Sequence, residues 1–169
     1  MSDLFPADPN RLDPYKNYAF LVFLGGSTTP AAAVSSVGPV RRYSDVVEYN
    51  SGNDAMTRKG LGRTHYDPVV LARGITQDPE FEDWANAAQV LTGGNPSTSL
   101  ANLRKNMSIV LLNEERQPVR RYLFHRCWVS EYQALPFLDA GTATTAFERI
   151  KVENEGWERD TTLAETQEQ

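Results

Sequence analysis

Residues 47–76 (VEYNSGNDAMTRKGLGRTHYDPVVLARGIT) constrain this chain more than any other stretch. At their centre, residues 50–63 hold three glycines and four charges (Asp54, Arg58, Lys59, Arg63) but almost no apolar side chains. A segment of that kind has little to place in the core of its own subunit, since the drive to bury scales with apolar area. It is expected as a protruding tongue, either a mobile hairpin tip or a surface that another chain covers. Strands flank it at 42–49 and 65–73. Pro68 cannot donate a ladder hydrogen bond, which gives the second strand an edge position or a bulge.

A helix start follows. Asp78 caps free N–H groups and Pro79 suits the first helical position. Glu80, Glu82 and Asp83 put negative charge where the helix dipole favours it. Phe81, Trp84, Ala85, Ala88 and Leu91 form one apolar stripe, and the run Thr92-Gly93-Gly94-Asn95-Pro96 ends the helix. The remaining signals are strands: 15–24 stopping at Gly25-Gly26, then 34–40, 105–112, 119–132 and 143–154. In the last of these Ala146, Ile150 and Val152 share one face, while Thr145, Arg149, Lys151 and Glu153 share the other. Such alternation means one buried and one wet face. About seven strands and one helix specify an α+β, β-dominated domain, an antiparallel β-sandwich or partly open barrel with the helix over one end. Residues 1–14 read as a flexible N-terminal arm, 15–157 as a single domain, and 158–169 as a polar C-terminal tail.

A length of 169 residues suits one domain with a real core. The net charge of -5 disfavours non-specific nucleic-acid binding as the main role. The basic residues come as scattered doublets (Arg41-Arg42, Arg58-Lys59, Arg104-Lys105, Arg120-Arg121), not as a stripe. Cys127 is the only cysteine, so an intrachain disulfide is excluded. The first residues show no positive region followed by an apolar run, so a cleaved secretory signal is not expected. No apolar run approaches the roughly 18 residues of a membrane span.

Catalysis finds no constellation. His125 and Cys127 share a strand face at i, i+2, but two ligands do not make a zinc site. Neighbours pointing the same way along one strand rarely reach the geometry of a Cys-His nucleophile pair. No nucleophile elbow or phosphate-cradling glycine loop occurs. Helix-start electrostatics accounts for Glu80, Glu82 and Asp83 more simply than acid/base chemistry does. No metal and no cofactor is expected. Trp84 and Trp128, the latter alternating with Phe124 and Tyr122, read as core. Trp157 is the candidate surface aromatic, as fit for interface packing as for ligand stacking.

Six short motifs carry a resemblance. In order they are Asp13-Pro14-Tyr15-Lys16-Asn17, Val47-Glu48-Tyr49, Gly52-Asn53-Asp54, Arg73-Gly74-Ile75-Thr76, Ser108-Ile109-Val110-Leu111-Leu112 and Glu155-Gly156-Trp157-Glu158-Arg159. Together, over about residues 11–160, they resemble the tail-tube (inner tube) protein family of contractile-tailed bacteriophages and contractile injection systems. The chain departs from that family at Gly60, where proline is common, at Pro68, and in a longer 92–102 segment. The resemblance implies a structural subunit, not an enzyme, that forms stacked hexameric rings with a lumen for DNA or protein cargo. Its implied partners are other copies of itself, a sheath protein, baseplate or tube-initiator proteins and a tube terminator, with no membrane. Assembly would be cytoplasmic, and the destination a virion tail or injection particle. Six subunits giving four strands each, about 24 strands at about 4.8 Å, would make a circumference of at least roughly 115 Å, wide enough for an open channel. On this reading Glu48, Tyr49, Asn53, Asp54, Arg58, Lys59, Arg63 and Tyr66 are subunit-interface candidates. Thr145, Arg149, Lys151 and Glu153 are lumen-lining candidates. A baseplate-proximal initiator paralogue fits the same motifs. The readings from other classes are a monomeric β-sandwich ligand-binding module and a small hydrolase.

Overall fold

The computed structural model describes residues 14–31, 34–92 and 103–163. Most of the expected N-terminal arm, the 92–102 elaboration apart from Thr92, and the tail from 164 onward lie outside the described residues. The elements in order are β1 (Phe20–Leu24), β2 (Val34–Val37), β3 (Arg42–Tyr49), β4 (Arg58–Tyr66), β5 (Val69–Gly74), α1 (Glu80–Thr92), β6 (Lys105–Leu112), β7 (Pro118–Gln133), β8 (Phe147–Glu153) and β9 (Trp157–Arg159).

One antiparallel sheet runs β1-β6-β7-β8-β5-β2, with β9 alongside β7, while β3 and β4 form a separate two-stranded ribbon. The sheet curls toward closure. The Ala31 amide, just before β2, donates to the Val22 carbonyl on β1 (2.7 Å), so the two edge strands face one another. Of the architectures expected, the partly open barrel is the one found. Val22, Leu71, Phe81, Trp84, Phe124 and Ile150 fill its inside. Helix α1 covers it with Phe81, Trp84 and Ala85, the apolar stripe seen in the sequence, while Ala88 is half-buried. The helix begins as expected: Asp78 Oδ1 accepts from the Glu80 amide (3.1 Å). Among the described residues no helix is long and apolar enough to cross a membrane.

Four expectations are corrected. The strand expected over 65–73 is two strands in different sheets, because Asp67-Pro68 breaks the ladder between β4 and β5. The tongue is partly strand, since β4 begins at Arg58 and only residues 50–57 connect it to β3. Residues 158 and 159, expected in the polar tail, belong to β9 and pair with Leu123 and Tyr122. The alternation read along β7 fails at a bulge, where His125 and Arg126 together oppose Asn106 alone. Arg126 takes φ 53°, and its amide donates to Asn106 Oδ1 (3.1 Å). That extra residue turns Phe124, Cys127 and Val129 inward and leaves Trp128 only half-buried.

Candidate functional site

The β3–β4 ribbon is the least self-sufficient part of the molecule. Its register runs Arg42↔Tyr66, Tyr43↔His65, Ser44↔Thr64, then Val46↔Leu61, Val47↔Gly60, Glu48↔Lys59 and Tyr49↔Arg58. Cross-strand partners share a face, so one face carries Val46, Glu48, Lys59 and Leu61, and the other Tyr43, Val47, Tyr49 and Arg58. Both faces are exposed, and Leu61 is 84% accessible. A lone two-stranded ribbon is marginally stable in water, and large apolar side chains on both sides add an unfavourable surface.

Local contacts shape the ribbon. Between Ser44 and Val46 the register slips, so that Gly62 and Arg63 together oppose Asp45. A Cβ on Gly62 would lie 2.8 Å from the Asp45 carbonyl oxygen, so this bulge requires glycine. Tyr43 stacks on His65 at 5.0 Å between centroids, and the Ser44 and Thr64 hydroxyls bond at 2.9 Å. The base is pinned to the barrel through Trp157. Tyr66, Tyr122 and Phe124 surround the Trp157 ring, and the Arg42 guanidinium lies 5.4 Å from its centroid. Trp157 is therefore half-buried against the core, not a free surface aromatic. Its neighbours in the same motif hold the bend there. Gly156 has φ 146° and packs under the Tyr66 ring, and its carbonyl accepts from the His125 amide (2.9 Å). The Glu155 carboxylate binds Arg104 (2.9 Å) and Arg126 (3.1 Å).

The interface candidates divide. Glu48, Tyr49, Asn53, Arg58, Lys59 and Arg63 are exposed on the ribbon, Asp54 is half-exposed at its turn, and Tyr66 is turned toward Trp157. Several of the charges are already engaged: Asp54 with Arg58 (2.8 Å) and Glu48 with Lys59 (3.6 Å). Sequence reasoning missed the apolar members Tyr43, Val46, Val47, Met56 and Leu61. Their signal was present, since apolar residues at both odd and even positions of 43–49 describe a strand exposed on two sides. It also missed a second exposed apolar group, Leu135, Phe137 and Leu138, in the loop after β7. Of the lumen candidates, Arg149, Lys151 and Glu153 alternate along the outer face of β8, and Thr145 precedes that strand in the loop. Thr145 and Arg149 are exposed, Lys151 approaches Glu131 (3.7 Å), and Glu153 accepts from the Ser130 hydroxyl (3.1 Å).

The expected His125–Cys127 face does not exist. The bulge places Cys127 in the core and leaves His125 exposed beside Glu158 (3.0 Å). Burial pushes the Cys127 thiol up to about 12. Among the described residues no three His, Cys, Asp or Glu gather as a metal-binding group. The buried charges among the described residues are Arg73 and Glu148; Arg73 is fully enclosed, bonded to Glu148 and to Asp78 (3.2 Å) and lies over the Phe81 ring. Tyr132 donates to the other oxygen of Glu148 (2.9 Å), and burial together with this bond raises its phenol to about 12. This network runs from the buried Arg73–Glu148 pair to the partly exposed Asp78 and Tyr132 and ties α1 to the sheet, so it is structural.

A sequence profile described as "T4-like virus tail tube protein gp19" matches residues 16–158. The chain belongs to this tail tube protein family. Solved structures share the tail tube fold. A chain of the anti-feeding prophage tube-terminating cap superposes with TM-score 0.74 and 18% identity, over 91% of this chain and 95% of its own. One from the anti-feeding prophage baseplate gives 0.70 and 19%, over 88% and 97%. One from the PVC extracellular contractile injection system, in its extended sheath–tube complex, gives 0.70 and 18%, over 87% and 91%. No curated protein matches the chain in sequence. This tail tube protein is thus a structural tube subunit, and among the described residues its exposed apolar surface is concentrated on the ribbon and on the 135–138 loop.

Proposed function

We propose that this tube subunit assembles into hexameric rings that stack into the inner tail tube of a contractile phage tail or a phage-derived injection particle. The ribbon reaches a neighbouring subunit or the next ring, and the barrel leaves DNA or protein cargo to pass through a lumen that Thr145, Arg149, Lys151 and Glu153 help to line. The chain performs no catalysis. It is built in the cytoplasm, with sheath, baseplate or initiator proteins and a terminator as its other partners. One observation carries the reading: the β3–β4 ribbon exposes Tyr43, Val46, Val47, Tyr49 and Leu61 on two faces and has no cover among the described residues. Six-fold closure also removes the open edges at β1 and β2, which would otherwise invite uncontrolled strand pairing.

The test is negative-stain imaging of the purified chain, concentrated and also mixed with its baseplate fraction. Beside it runs a variant in which residues 46–61 are replaced by Asn-Gly, a two-residue turn suited to a hairpin. Rings or hollow tubes from the natural chain, and a folded monomer from the variant, are expected. A monodisperse natural monomer under every condition would overturn the tube reading. Normal tubes from the variant would overturn the role given to the ribbon.

A further inference from the structure

The most exposed large apolar side chain of the described residues is Phe137, at 94%, flanked by Leu135 and Leu138 in the loop after β7. The molecule also carries an apolar slot of about 400 Å³ between the facing edges of the barrel. Phe20 of β1, Val37 of β2, Val40, Ile109 and Leu111 of β6 and Tyr122 of β7 line it. It lies where the seam between β1 and β2 stays open, beyond the Ala31–Val22 hydrogen bond.

We propose that the Phe137 knob of one copy seats in the seam slot of a second copy. Knob and slot lie at opposite ends of the same strands. The twelve residues of β7 from Tyr122 to Gln133 cover about 35 Å of extended strand. On β5 the slot's Val37 pairs with Leu71 and Val40 follows the Gly38–Val70 contact, whereas the knob loop packs at Gly74 through Thr145 and Ala146. A knob at one end and a slot at the other make a head-to-tail contact, which either closes into a ring or repeats as a stack. Charge agrees with this pairing. Asp139 follows Leu138, and its carboxyl is held below the usual carboxylate range by the Gly141 amide and the Thr142 hydroxyl. At the slot, Arg120 reaches the Tyr122 hydroxyl (3.5 Å) and has no carboxylate partner among the described residues. An aromatic anchor in an apolar pocket with charges at the rim is the arrangement that carries most binding energy in protein interfaces.

The contact rests on the tube reading, so the test separates the two. Full-length chain carrying Phe137→Cys and Ser36→Cys is assembled and oxidised. Ser36 lines the slot and is exposed, and the native Cys127 is buried and inert. A ladder of cross-linked multimers from the double variant, absent from either single variant, is expected. Phe137→Ser should raise the concentration needed for assembly roughly tenfold with the melting temperature unchanged, and Phe137→Leu should recover most of that loss. Tubes that form without a ladder, or assembly indifferent to Phe137→Ser, would remove the contact and leave the tube reading intact. A Ser36 thiol that pairs instead with Phe5→Cys would give the slot to the chain's own first residues. Cross-links between two Phe137→Cys knobs would make the contact isologous, which also overturns the proposal. A natural chain that never assembles would remove the tube reading and this contact together.

Discussion

Gly62, Cys127 and Tyr132 illustrate how single positions set the behaviour of this tube subunit. Gly62 sits at the ribbon bulge with room for no Cβ, since the Asp45 carbonyl oxygen would lie 2.8 Å away. Backbone cannot yield as a flexible side chain can, so Gly62→Ala must re-register the outer half of β3 and β4. The ribbon contributes nothing to the buried core cluster. Gly62→Ala should therefore shift the melting temperature by no more than about 2 °C while assembly falls at least roughly tenfold, compared by calorimetry and sedimentation. Cys127 reports on the core instead. Burial raises its thiol from 9.0 to about 12, and burial with the Glu148 bond raises the Tyr132 phenol from 10.0 to about 12. In both cases the fold favours the protonated form. The stability tied to these protons is complete below pH 9 and is lost as the pH rises from 9 toward 12. Thermal unfolding should be flat in this respect from pH 7 to 9 and then fall, and Cys127→Ala should move the onset up toward pH 10, where the Tyr132 phenol begins to titrate in the unfolded chain. An onset that stays at pH 9 in the variant would show that another group causes it.

At the level of elements, the helix and the sheet are joined by charge inside an apolar interior. Arg73 on β5, Glu148 on β8, Tyr132 on β7 and Asp78 at the head of α1 form one network. Replacing Arg73 with Met strands three acceptor atoms, one on Glu148 and two on Asp78, and removing one partner of a buried pair costs about 3–5 kcal/mol. Urea unfolding of Arg73→Met should show a loss of that order, and the double variant Arg73→Met, Glu148→Met should recover part of it. No recovery would mean that the loss comes from Asp78 or from packing on Phe81. The sequence half-disclosed this network. Alternation along 146–152 puts Glu148 on the same inward face as Ile150 and Val152, and an inward carboxylate demands a cation. Arg73 looked only like part of a motif, because a long-range partner leaves no trace in local pattern. Strands that alternate cleanly or have sharp turn signals were legible: β3 and β6 fall on the expected residues, and β7 within one residue at each end. The break at Pro68 was read as an edge position or a bulge but not as a change of sheet. The Arg126 bulge was invisible, since one inserted residue inverts every later side chain without altering composition. Phe137 was missed for a different reason. An apolar run beside Pro136 reads as loop, and its exposure appears only once the neighbours are placed.

Across the whole molecule, the sequence settled the ribbon's lack of core residues but not its two exposed apolar faces, which depend on register. The barrel and the ribbon differ so much in burial that they should differ in stability, and assembly should erase the difference. In the monomer, β6, β7 and β8 exchange their hydrogen bonds within a closed core, so their amides open only with global unfolding. The amides of residues 46–61 lie in a two-stranded ribbon open on both faces, and such ribbons are marginal on their own. Hydrogen exchange of the monomer should therefore show rapid labelling over 46–61 and slow labelling over β6, β7 and β8, with the Trp157 hub marking the boundary. On the proposed assembly, tubes cover the ribbon's apolar faces, and its protection should rise by at least about a hundredfold, the change expected when a local opening must also break an interface worth about 3 kcal/mol. Protection already high in the monomer would mean that the ribbon is stable without a partner, and the main physical reason for assigning it to a subunit interface would be gone. A ribbon that stays unprotected inside formed tubes would place the contacts elsewhere on the barrel, with the Phe137 loop the first surface to examine.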